Sequence, residues 1–217
     1  MKVELIDHMG NDLSVVNAAR VSFAKEHKEF DHIGDTKLIH YLAKHNHWSP
    51  FGHASMQFHI KAPVFVARQL VKHQVGLTWN EVSRRYVDDE PEFYTPDVWR
   101  GTAENKKQGS SETEEVLWLL INELSVDEAV ENVGKKCVSL YNQLIDAGVC
   151  AEQARMVLPQ SLMTEWYWTG SLYAFARVCN LRCAKDTQRE TREIADLISF
   201  SLREKFPVSW KYLVGEN

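Results

Sequence analysis

The densest run of polar side chains lies between Arg68 and Arg85, in the segment RQLVKHQVGLTWNEVSRR. Arg68 and Lys72 have the spacing of neighbours on one helical face, and Gly76 would end such a helix. An amide, a carboxylate, a hydroxyl and two guanidinium groups follow: Asn80, Glu81, Ser83, Arg84 and Arg85. Guanidinium groups bind phosphate through paired hydrogen bonds, and a carboxylate accepts from a ring N–H or a ribose hydroxyl. The segment therefore predicts a site for a phosphorylated heterocycle. The alternative is an ordinary amphipathic helix followed by a solvated, charged loop.

Further arginines occur on predicted helices that are otherwise apolar, namely Arg155, Arg177 and Arg182. An unpaired, buried guanidinium is very costly, so each side chain must reach a partner or a wet cavity. A bound ligand would satisfy this need. An interhelical salt bridge, or a side chain that extends to the surface, would satisfy it equally well, and the sequence leaves these alternatives open.

Histidines and cysteines could instead indicate a metal site. All nine histidines fall at or before His73, and four of them lie close together: His45, His47, His53 and His59. Their spacing matches no zinc pattern, and Cys179 and Cys183 do not form a C-x-x-C pair. We therefore predict no metal site. A His/Cys metalloprotein remains a rival interpretation, which elemental analysis would test.

Glycine spacing excludes the common phosphate-binding loops. The closest pair is Gly101 and Gly109, which are 109 − 101 = 8 positions apart. Neither a G-x-G-x-x-G loop nor a G-x-x-x-x-G-K loop can be written anywhere in the chain. Any bound nucleotide must therefore be held by side chains and helix starts.

The elements that must position these residues come as strands early and helices late. A strand is predicted at VELID, and a second one, with alternating polar and apolar residues, at Ser55–Lys61. Capping residues, helix formers and breakers predict the helices. These are Leu13–Phe23 (capped by Asn11 or Asp12), one capped by Asp35 and ending near His47, Pro63–His73, two begun by capping boxes at Ser111 and Ser125, Ala151–Leu158, Tyr167–Arg182 and Asp186–Phe206 before a stop at Pro207.

This order contains no repeated β-α unit, so it predicts a single α+β domain over residues 1–217. The polar segment GTAENKKQGSS, at residues 101–111, is expected to be a mobile surface loop.

Composition limits the classes of function. The chain is 44% hydrophobic and 25% charged, as in soluble globular proteins. Its net charge of −5 argues against a dedicated nucleic-acid binder. No apolar run is long enough to span a membrane, and the start MKVELID has no signal-peptide core. Four cysteines do not suggest a disulfide scaffold. We therefore expect a cytoplasmic protein that binds neither nucleic acid nor membrane.

Several blocks, in their order and spacing, resemble the flavin-dependent thymidylate synthases, the ThyX family. They are MGNDLSVVNAARVSF, HWSPFGH, KAPVFVARQ, NEVSRRY, EFYTP, ARMVLP and NLR. The resemblance implies an α+β domain with a central, mostly antiparallel sheet flanked by helices. It also implies a homotetramer with active sites at the subunit interfaces.

The resemblance further implies a reaction, the conversion of dUMP to dTMP. The carbon donor would be 5,10-methylenetetrahydrofolate and the hydride donor NADPH-reduced FAD, with no cysteine nucleophile. The alternative is a homologue that binds FAD or a nucleotide but has no synthase activity.

Site residues are carried over from the matching positions. The residues implied for dUMP are Gln69, Lys72, Glu81, Ser83, Arg84, Arg85, Arg155 and Arg182. Arg155 would come from another subunit. Arg182 would be catalytic, because a fixed guanidinium at the uracil edge stabilises negative charge on the ring and activates C5. The residues implied for FAD are Ser22, His47, Ser49, Lys72, His73, Gln74, Glu81, Ser171 and Arg177, with His53 in the same matched segment as His47.

The match is imperfect at the family's Arg-His-Arg signature, which is followed by seven residues and a serine. Here the triplet is Lys72-His73-Gln74, followed by eight residues before Ser83. Lys72 keeps a positive charge, whereas Gln74 does not, so the contact to FAD phosphate at position 74 is in question. We expect the extra residue to form a bulge near Gly76. We also expect Arg177 to supply the charge that Gln74 lacks.

Overall fold

A computed structural model describes residues 1–87, 89–102, 110–117 and 124–215. The strands are β1 (Lys2–Met9), β2 (Ser55–Pro63), β3 (Leu77–Glu81), β4 (Arg100–Thr102), β5 (Ser110–Glu115) and β6 (Met163–Ser171). The α-helices are α1 (Asp12–Arg20), α2 (Gly34–Lys44), α3 (Ser49–Gly52), α4 (Val64–Leu70), α5 (Val126–Asp146), α6 (Ala151–Ala154), α7 (Leu172–Arg182), α8 (Arg189–Lys205) and α9 (Pro207–Val214). Short 3₁₀ helices cover Val21–Phe23 and Arg155–Val157.

Four strands form one sheet in the order β1-β2-β6-β3, and β4 pairs with β5 in an antiparallel ribbon. The predicted α+β class, with a mostly antiparallel sheet and flanking helices, is confirmed. Within the described part of the chain, no helix is both long and apolar enough to cross a membrane.

The chain divides into two compact units. The first unit comprises Met1–Ile60, Leu70–Asn80 and Trp166–Asn217, and the second comprises Lys61–Gln69 and Glu81–Glu165. The extent of a single domain over residues 1–217 stays a prediction.

Aromatic side chains dominate the core of the first unit. Phe175 on α7 makes edge-to-face contacts with Phe58 of β2 at 5.1 Å and with Trp168 of β6 at 5.2 Å between ring centroids. Trp79 of β3 stacks on Trp166 of β6 at 4.3 Å. All of these rings except that of Trp79 are fully buried. Because aromatic pairs contribute beyond their buried area, these contacts fix α7 against the sheet.

Two predicted helix starts are confirmed by their caps. Asn11 Oδ1 accepts from Ser14 N at 3.1 Å, and Ser14 Oγ accepts from Asn11 N at 3.1 Å, at the start of α1. Ser125 and Glu128 form the predicted capping box of α5. In each case the side chains satisfy backbone donors that the first helical turn leaves unpaired.

The helix predicted for Pro63–His73 is shorter than expected. Its α-helical part, α4, ends at Leu70, and a turn follows. The prediction that Arg68 and Lys72 share a helical face is therefore wrong. Strand β3 begins after this turn and is not predicted from the sequence. A strand of five residues is too short to show a clear alternation of polar and apolar positions.

The helix predicted for Tyr167–Arg182 is wrong in its first part. Strand β6 continues to Ser171 before α7 begins. Trp166 and Trp168 are buried, whereas Tyr167 between them is exposed. This is the two-residue alternation of a strand, and an apolar run of this length fits a helix or a strand equally well.

Two smaller predictions are also wrong. Ser111 does not begin a helix, because it lies in strand β5. The predicted stop at Pro207 is confirmed, since α8 ends at Lys205, and Pro207 occupies the first turn of a separate helix, α9, where its missing N–H costs nothing. Asp35 is not an N-cap but a buried residue inside α2. The predicted mobile loop overlaps β4 and β5. Its residues 103–109, and residues 118–120 of the predicted VLWLL helix, lie outside the described residues.

The start of α9 is fixed by a carboxylate from the start of α1. Asp12 is buried, and its two oxygens accept from Val208 N at 2.9 Å and Ser209 N at 2.8 Å. The interaction caps α9 and places negative charge at the positive end of its dipole.

We expect Asp12→Ala to lower the free energy of unfolding by about 2 kcal/mol, because the N–H groups of Val208 and Ser209 lose their acceptor. Urea denaturation followed by circular dichroism would measure the change. The exposed residue Asp97 provides the control, and Asp97→Ala should change stability by less than about 0.5 kcal/mol. Equal stabilities of the two variants would contradict the capping role of Asp12.

Candidate functional site

The predicted site residues are divided between the two units. Those in the first unit are Ser22, His47, Ser49, Lys72, His73, Gln74, Ser171, Arg177 and Arg182. Those in the second unit are Gln69, Glu81, Ser83, Arg84, Arg85 and Arg155.

A cationic cluster forms around His73 in the first unit. Arg182 Nε donates a hydrogen bond to His73 Nε2 at 3.0 Å. The positive charges of Arg182 and Arg177, both on α7, act on the His73 imidazole. Lys72 is exposed next to His73 in the chain. Several positive charges around one half-buried ring suit an anionic ligand such as a phosphate.

The same surroundings keep His73 neutral. Burial, and then the charges of Arg182 and Arg177, hold the pKa of His73 below its ordinary value. The hydrogen bond agrees with this, because a guanidinium N–H only donates and therefore requires an unprotonated ring nitrogen. The proton of the neutral ring is then on Nδ1.

The turn that carries Gln74 packs on the first turn of α7. Leu77 N donates to the carbonyl of Gln74 at 3.2 Å, and Gly76 between them has a φ of 78°. A Cβ at Gly76 would lie 3.1 Å from Ala174 Cβ, so this approach requires a glycine. Ser171 N donates to the Gly76 carbonyl at 3.4 Å, and Ser171 Oγ accepts from Ala174 N at 3.2 Å as the N-cap of α7. Ser171 thus has a structural role here, and its predicted contact with FAD stays a prediction.

A buried carboxylate organises the segment around Ser22. Ser22 lies exposed in the 3₁₀ helix that follows α1. Asp35 is fully buried, and its oxygens lie 2.7 Å from Arg20 NH2, 3.0 Å from His27 Nδ1 and 2.9 Å from the N–H of Asp31. These partners flank Ser22 in the chain, so Asp35 limits how far that segment can move.

Hydrogen bonds lower the pKa of Asp35 by more than its burial raises it. Burial alone raises the pKa of this carboxyl, but hydrogen bonds from Arg20, from the Asp31 backbone and from His27 bring its pKa below the ordinary value. Asn17 supports the same segment, since its amide donates to the His27 carbonyl at 2.9 Å and accepts from His27 N at 2.8 Å.

His47 and Ser49 lie at the start of α3, and both are exposed. Trp48 between them contacts Tyr173 of α7 at 6.3 Å between ring centroids. The ring of His47 lies 5.8 Å from that of Tyr41. The exposed indole and imidazole rings next to α7 suit stacking with a flat ring system.

Part of the predicted dUMP set is brought together in the second unit. Glu81 Oε1 accepts from the buried Thr164 hydroxyl at 2.7 Å. Arg85 Nε donates to Ser83 Oγ at 3.1 Å, and its guanidinium lies 5.0 Å from the ring of Tyr86. The hydroxyl of Ser83 and the guanidinium of Arg85 are therefore held side by side, as a phosphate site requires.

The other predicted residues of this unit are more separate. Arg84 donates through NH1 to the carbonyl of Asp89. Gln69 is half-buried on α4, and Arg155 is exposed in the 3₁₀ helix after α6. Among the residues that the structure describes, we find no contact that joins Arg155 to Ser83 or Arg85.

Two of the cavities that the described residues form lie within the second unit. The larger, of about 920 Å³, lies between residues 90–95 and α5, and no predicted site residue lines it. The smaller, of about 150 Å³, is lined by Lys61, Arg84 and the carboxylates of Glu92 and Glu165, among others. The charged lining of both cavities is mostly acidic. In the smaller one, Lys61 pairs with Glu92 and Arg84 donates to the Asp89 carbonyl, so neither cavity by itself indicates a phosphate site.

Across the described ranges, no three His, Cys, Asp or Glu side chains converge in a way that could hold a metal ion.

Sequence reasoning missed three features of the site. The sequence predicts Asp35 as a helix cap, although the nearby Arg20 and His27 are compatible with an ion pair. Thr164 is not predicted as a site residue, because β6, the strand that carries it, is not predicted from the sequence. His73 and Arg182 were both named, but nothing in the sequence indicates that they pair.

An α+β protein with cationic and hydrogen-bonding groups suited to a phosphorylated ligand is the class that the fold and these side chains define. The family model described as "Thymidylate synthase complementing protein" matches residues 4–208. The flavin-dependent thymidylate synthase of Thermus thermophilus is 39% identical over 211 residues, which cover 96% of this chain and 73% of the relative. That of Thermotoga neapolitana is 40% identical over 210 residues, which cover 97% of this chain and 88% of the relative.

A solved structure is also similar to this chain over almost its whole length. The UMP/dUMP methylase PolB of Streptomyces cacaoi, bound with 5-Br dUMP, superposes with a TM-score of 0.82 at 30% identity, over 97% of this chain and 93% of that one. The chain therefore belongs to the flavin-dependent thymidylate synthase family, whose members are methyltransferase enzymes.

We expect Asp35→Asn to lower the free energy of unfolding by about 3 kcal/mol, since Arg20 would lose its buried partner. The folded-state pKa of Asp35 is depressed, so its stabilisation is full above the unfolded pKa of about 3.9 and is lost as pH falls through the folded value. The wild type should therefore lose more stability in acid than the variant does. Unfolding at several pH values would measure this.

The exposed pair Arg189–Glu193, at 3.1 Å, provides the control. Glu193→Gln should change stability by less than about 0.5 kcal/mol at neutral pH. An Asp35→Asn protein as stable as this control would refute the role of the buried pair.

Proposed function

We propose that this protein is an active flavin-dependent thymidylate synthase. It converts dUMP to dTMP with 5,10-methylenetetrahydrofolate as the carbon donor and NADPH-reduced FAD as the redox cofactor. The observation that carries this proposal is the cluster of Arg177, Arg182 and the neutral His73 in a chain that belongs to this family.

The substrate class is supported by the solved relative. The Streptomyces cacaoi methylase is described as bound with 5-Br dUMP, a pyrimidine nucleotide. In this chain, Ser83 and Arg85 are held together in the way that a phosphate site requires, and Glu81 offers a carboxylate for ring or ribose donors. We therefore assign dUMP binding to Gln69, Lys72, Glu81, Ser83, Arg84, Arg85, Arg155 and Arg182.

Arg182 is proposed to be the catalytic residue. Its guanidinium at the uracil edge stabilises the negative charge that develops on the ring when C5 becomes a nucleophile. This stabilisation requires a group whose orientation is set before the reaction. Its hydrogen bond to His73 gives Arg182 that property.

The cations of the first unit fit the proposed cofactor. FAD carries a diphosphate, and Lys72 and Arg177 offer charge for it, while the exposed rings of His47 and Trp48 suit stacking. We assign FAD binding to Ser22, His47, Ser49, Lys72, His73, Gln74, Glu81, Ser171 and Arg177. When bound, the flavin supplies the hydride, and the protein supplies position and field.

The surroundings of Cys179 do not suit a sulfur nucleophile. Cys179 is buried, and its hydrogen bond to Cys183, together with burial, raises its pKa well above the ordinary value. A thiol is nucleophilic only as the thiolate, so Cys179 is a poor candidate.

We further propose a homotetramer with active sites at subunit interfaces. Arg155 is exposed, and the neighbouring Met156 side chain is 78% exposed, as expected of residues that reach a neighbouring subunit. The cytoplasmic location expected from the sequence stays a prediction.

A second candidate is a homologue that binds FAD or a nucleotide without synthase activity. The neutral Gln74 in place of a cation favours it. An absorption spectrum of the purified protein and a single-turnover reaction of the reduced protein with dUMP and the folate would distinguish the candidates. Only a synthase forms dTMP, whereas a mere binder is yellow and forms none.

We expect Arg182→Ala to abolish dTMP formation while flavin stays bound. The rate should fall by about 1,000-fold, in the range seen when one preorganised charge-stabilising donor is removed. Product formation and the flavin absorption of the dialysed protein would measure the two effects. Arg189→Ala, which changes an exposed arginine on α8, should retain normal turnover. Near-normal turnover of Arg182→Ala would refute its catalytic role.

We expect Arg177→Ala to weaken FAD binding by about 10-fold, equivalent to roughly 1.4 kcal/mol, because the charge that offsets Gln74 is lost. Titration of the cofactor-free protein with FAD, followed by flavin fluorescence, would measure the affinity. Arg189→Ala is again the control. An unchanged affinity of Arg177→Ala would show that Arg177 does not compensate for Gln74.

A further inference from the structure

We propose that His73 is a positioning residue, whose neutral imidazole fixes the orientation of the Arg182 guanidinium. This inference rests on the proposed function of Arg182 at the uracil edge. It assigns to the His73 side chain a role in addition to the contact with FAD proposed above.

The geometry specifies the direction of the hydrogen bond. Arg182 Nε and His73 Nε2 are 3.0 Å apart, and the two residues are partly buried. Arginine stays protonated and its Nε–H has no acceptor capacity, so His73 Nε2 must be the acceptor. The imidazole is then the tautomer with its proton on Nδ1.

The backbone holds both partners in place. His73 N donates to the Leu70 carbonyl at 3.0 Å, which ties His73 to the end of α4. At the other end of the same turn, Gly76 contacts Ala174 at the start of α7. The helix α7 in turn carries Arg182 in its last turn. The backbone of His73 is therefore held beside α7, which places its ring within reach of the Arg182 side chain.

A hydrogen bond at Nε also orients the rest of the guanidinium. The group is planar, so a bond at Nε determines where the NH1 and NH2 edge points. A long side chain that is aligned before the substrate arrives loses less freedom in the reaction, and misplacement by about 1 Å can cost about 100-fold in rate.

The electrostatic surroundings keep this acceptor available. The charged groups that face His73 from α7 are Arg177 and Arg182, and the charge nearest in its own segment is Lys72. Burial, and then the charges of Arg182 and Arg177, disfavour a positive charge on the ring and lower the pKa of His73. Protonation at low pH would remove the acceptor and place two like charges in contact.

The first test examines the pair without cofactor or substrate. Two-dimensional ¹H–¹⁵N NMR of the histidine side chains reports which ring nitrogen carries the proton, and the spectrum of His73→Gln identifies the His73 signals. We expect a neutral ring with its proton on Nδ1 at neutral pH, and a titration midpoint below the ordinary value of about 6.5. A ring protonated on Nε2 at neutral pH would overturn the proposal.

The second test uses the complete enzyme with saturating FAD. In His73→Gln, the amide oxygen still accepts from Arg182 but does not titrate, whereas His73→Leu has no acceptor. We expect His73→Gln to keep turnover within about 5-fold of the wild type, and His73→Leu to lose about 100-fold in both kcat and kcat/KM for dUMP. His32→Gln, which changes an exposed histidine, is the control and should match the wild type.

The pH profile separates positioning from simple cofactor binding. Phosphate monoesters titrate near pH ~6, so the substrate affects every profile and the ratio of wild type to His73→Gln is the decisive quantity. We expect this ratio to fall in acid, because only the wild type has a group that becomes protonated there. A ratio that stays constant with pH would contradict the proposal.

The remaining outcomes are also informative. If His73→Leu regained full turnover at higher FAD concentration, its defect would come from weaker FAD binding alone and not from a misplaced Arg182, which would refute the inference. If the wild type formed no dTMP at all, the proposed function would fail, whereas the NMR measurement would still decide whether His73 accepts from Arg182.

Discussion

The hydrogen bond from Arg182 to His73 joins two parts of the first unit that are 109 residues apart in the chain. It constrains the elements on both sides, because α7 and the turn before β3 must approach closely for it to form. Glycines allow this approach. A Cβ at Gly76 would meet Ala174 at 3.1 Å, and one at Gly170 would lie 2.6 Å from the Gly76 carbonyl. Larger side chains at these positions would separate the elements, and the guanidinium would lose its fixed partner.

Much of the fold was predictable where local chemistry decides the structure. The caps at Asn11 and Ser125 were found because side-chain hydrogen bonds to the backbone act within one turn. The strand at Ser55–Lys61 was found from its alternation. Prediction failed where tertiary packing decides. Trp166 and Trp168 lie in an apolar run that fits a helix, and only the neighbouring strands β2 and β3 make it a strand.

For the candidate site too, the residue types could be predicted from the sequence, whereas the contacts between distant residues could not. The resemblance supplied residue types and positions, since these are written in the sequence. It did not supply the partners, because hydrogen bonds between distant segments depend on the whole fold. Asp35 illustrates this, as an acidic residue near a helix start is read as a cap until burial shows that it serves Arg20 and His27. Thr164 remained unnoticed for a similar reason, since its contact with Glu81 exists only once β6 is formed.

The altered triplet Lys72-His73-Gln74 affects the protonation of His73, because it changes the positive charge next to the imidazole. With a neutral residue at position 74, the turn itself carries less positive charge next to the imidazole, which would make protonation of His73 easier. Arg177 lies on another element, yet its charge acts on the same ring and opposes protonation. A cation at position 177 therefore has two effects, since it helps keep His73 neutral and is available to an anionic ligand. If Arg177 binds FAD phosphate as proposed, the neutral residue at position 74 is tolerated because α7 supplies the positive charge instead.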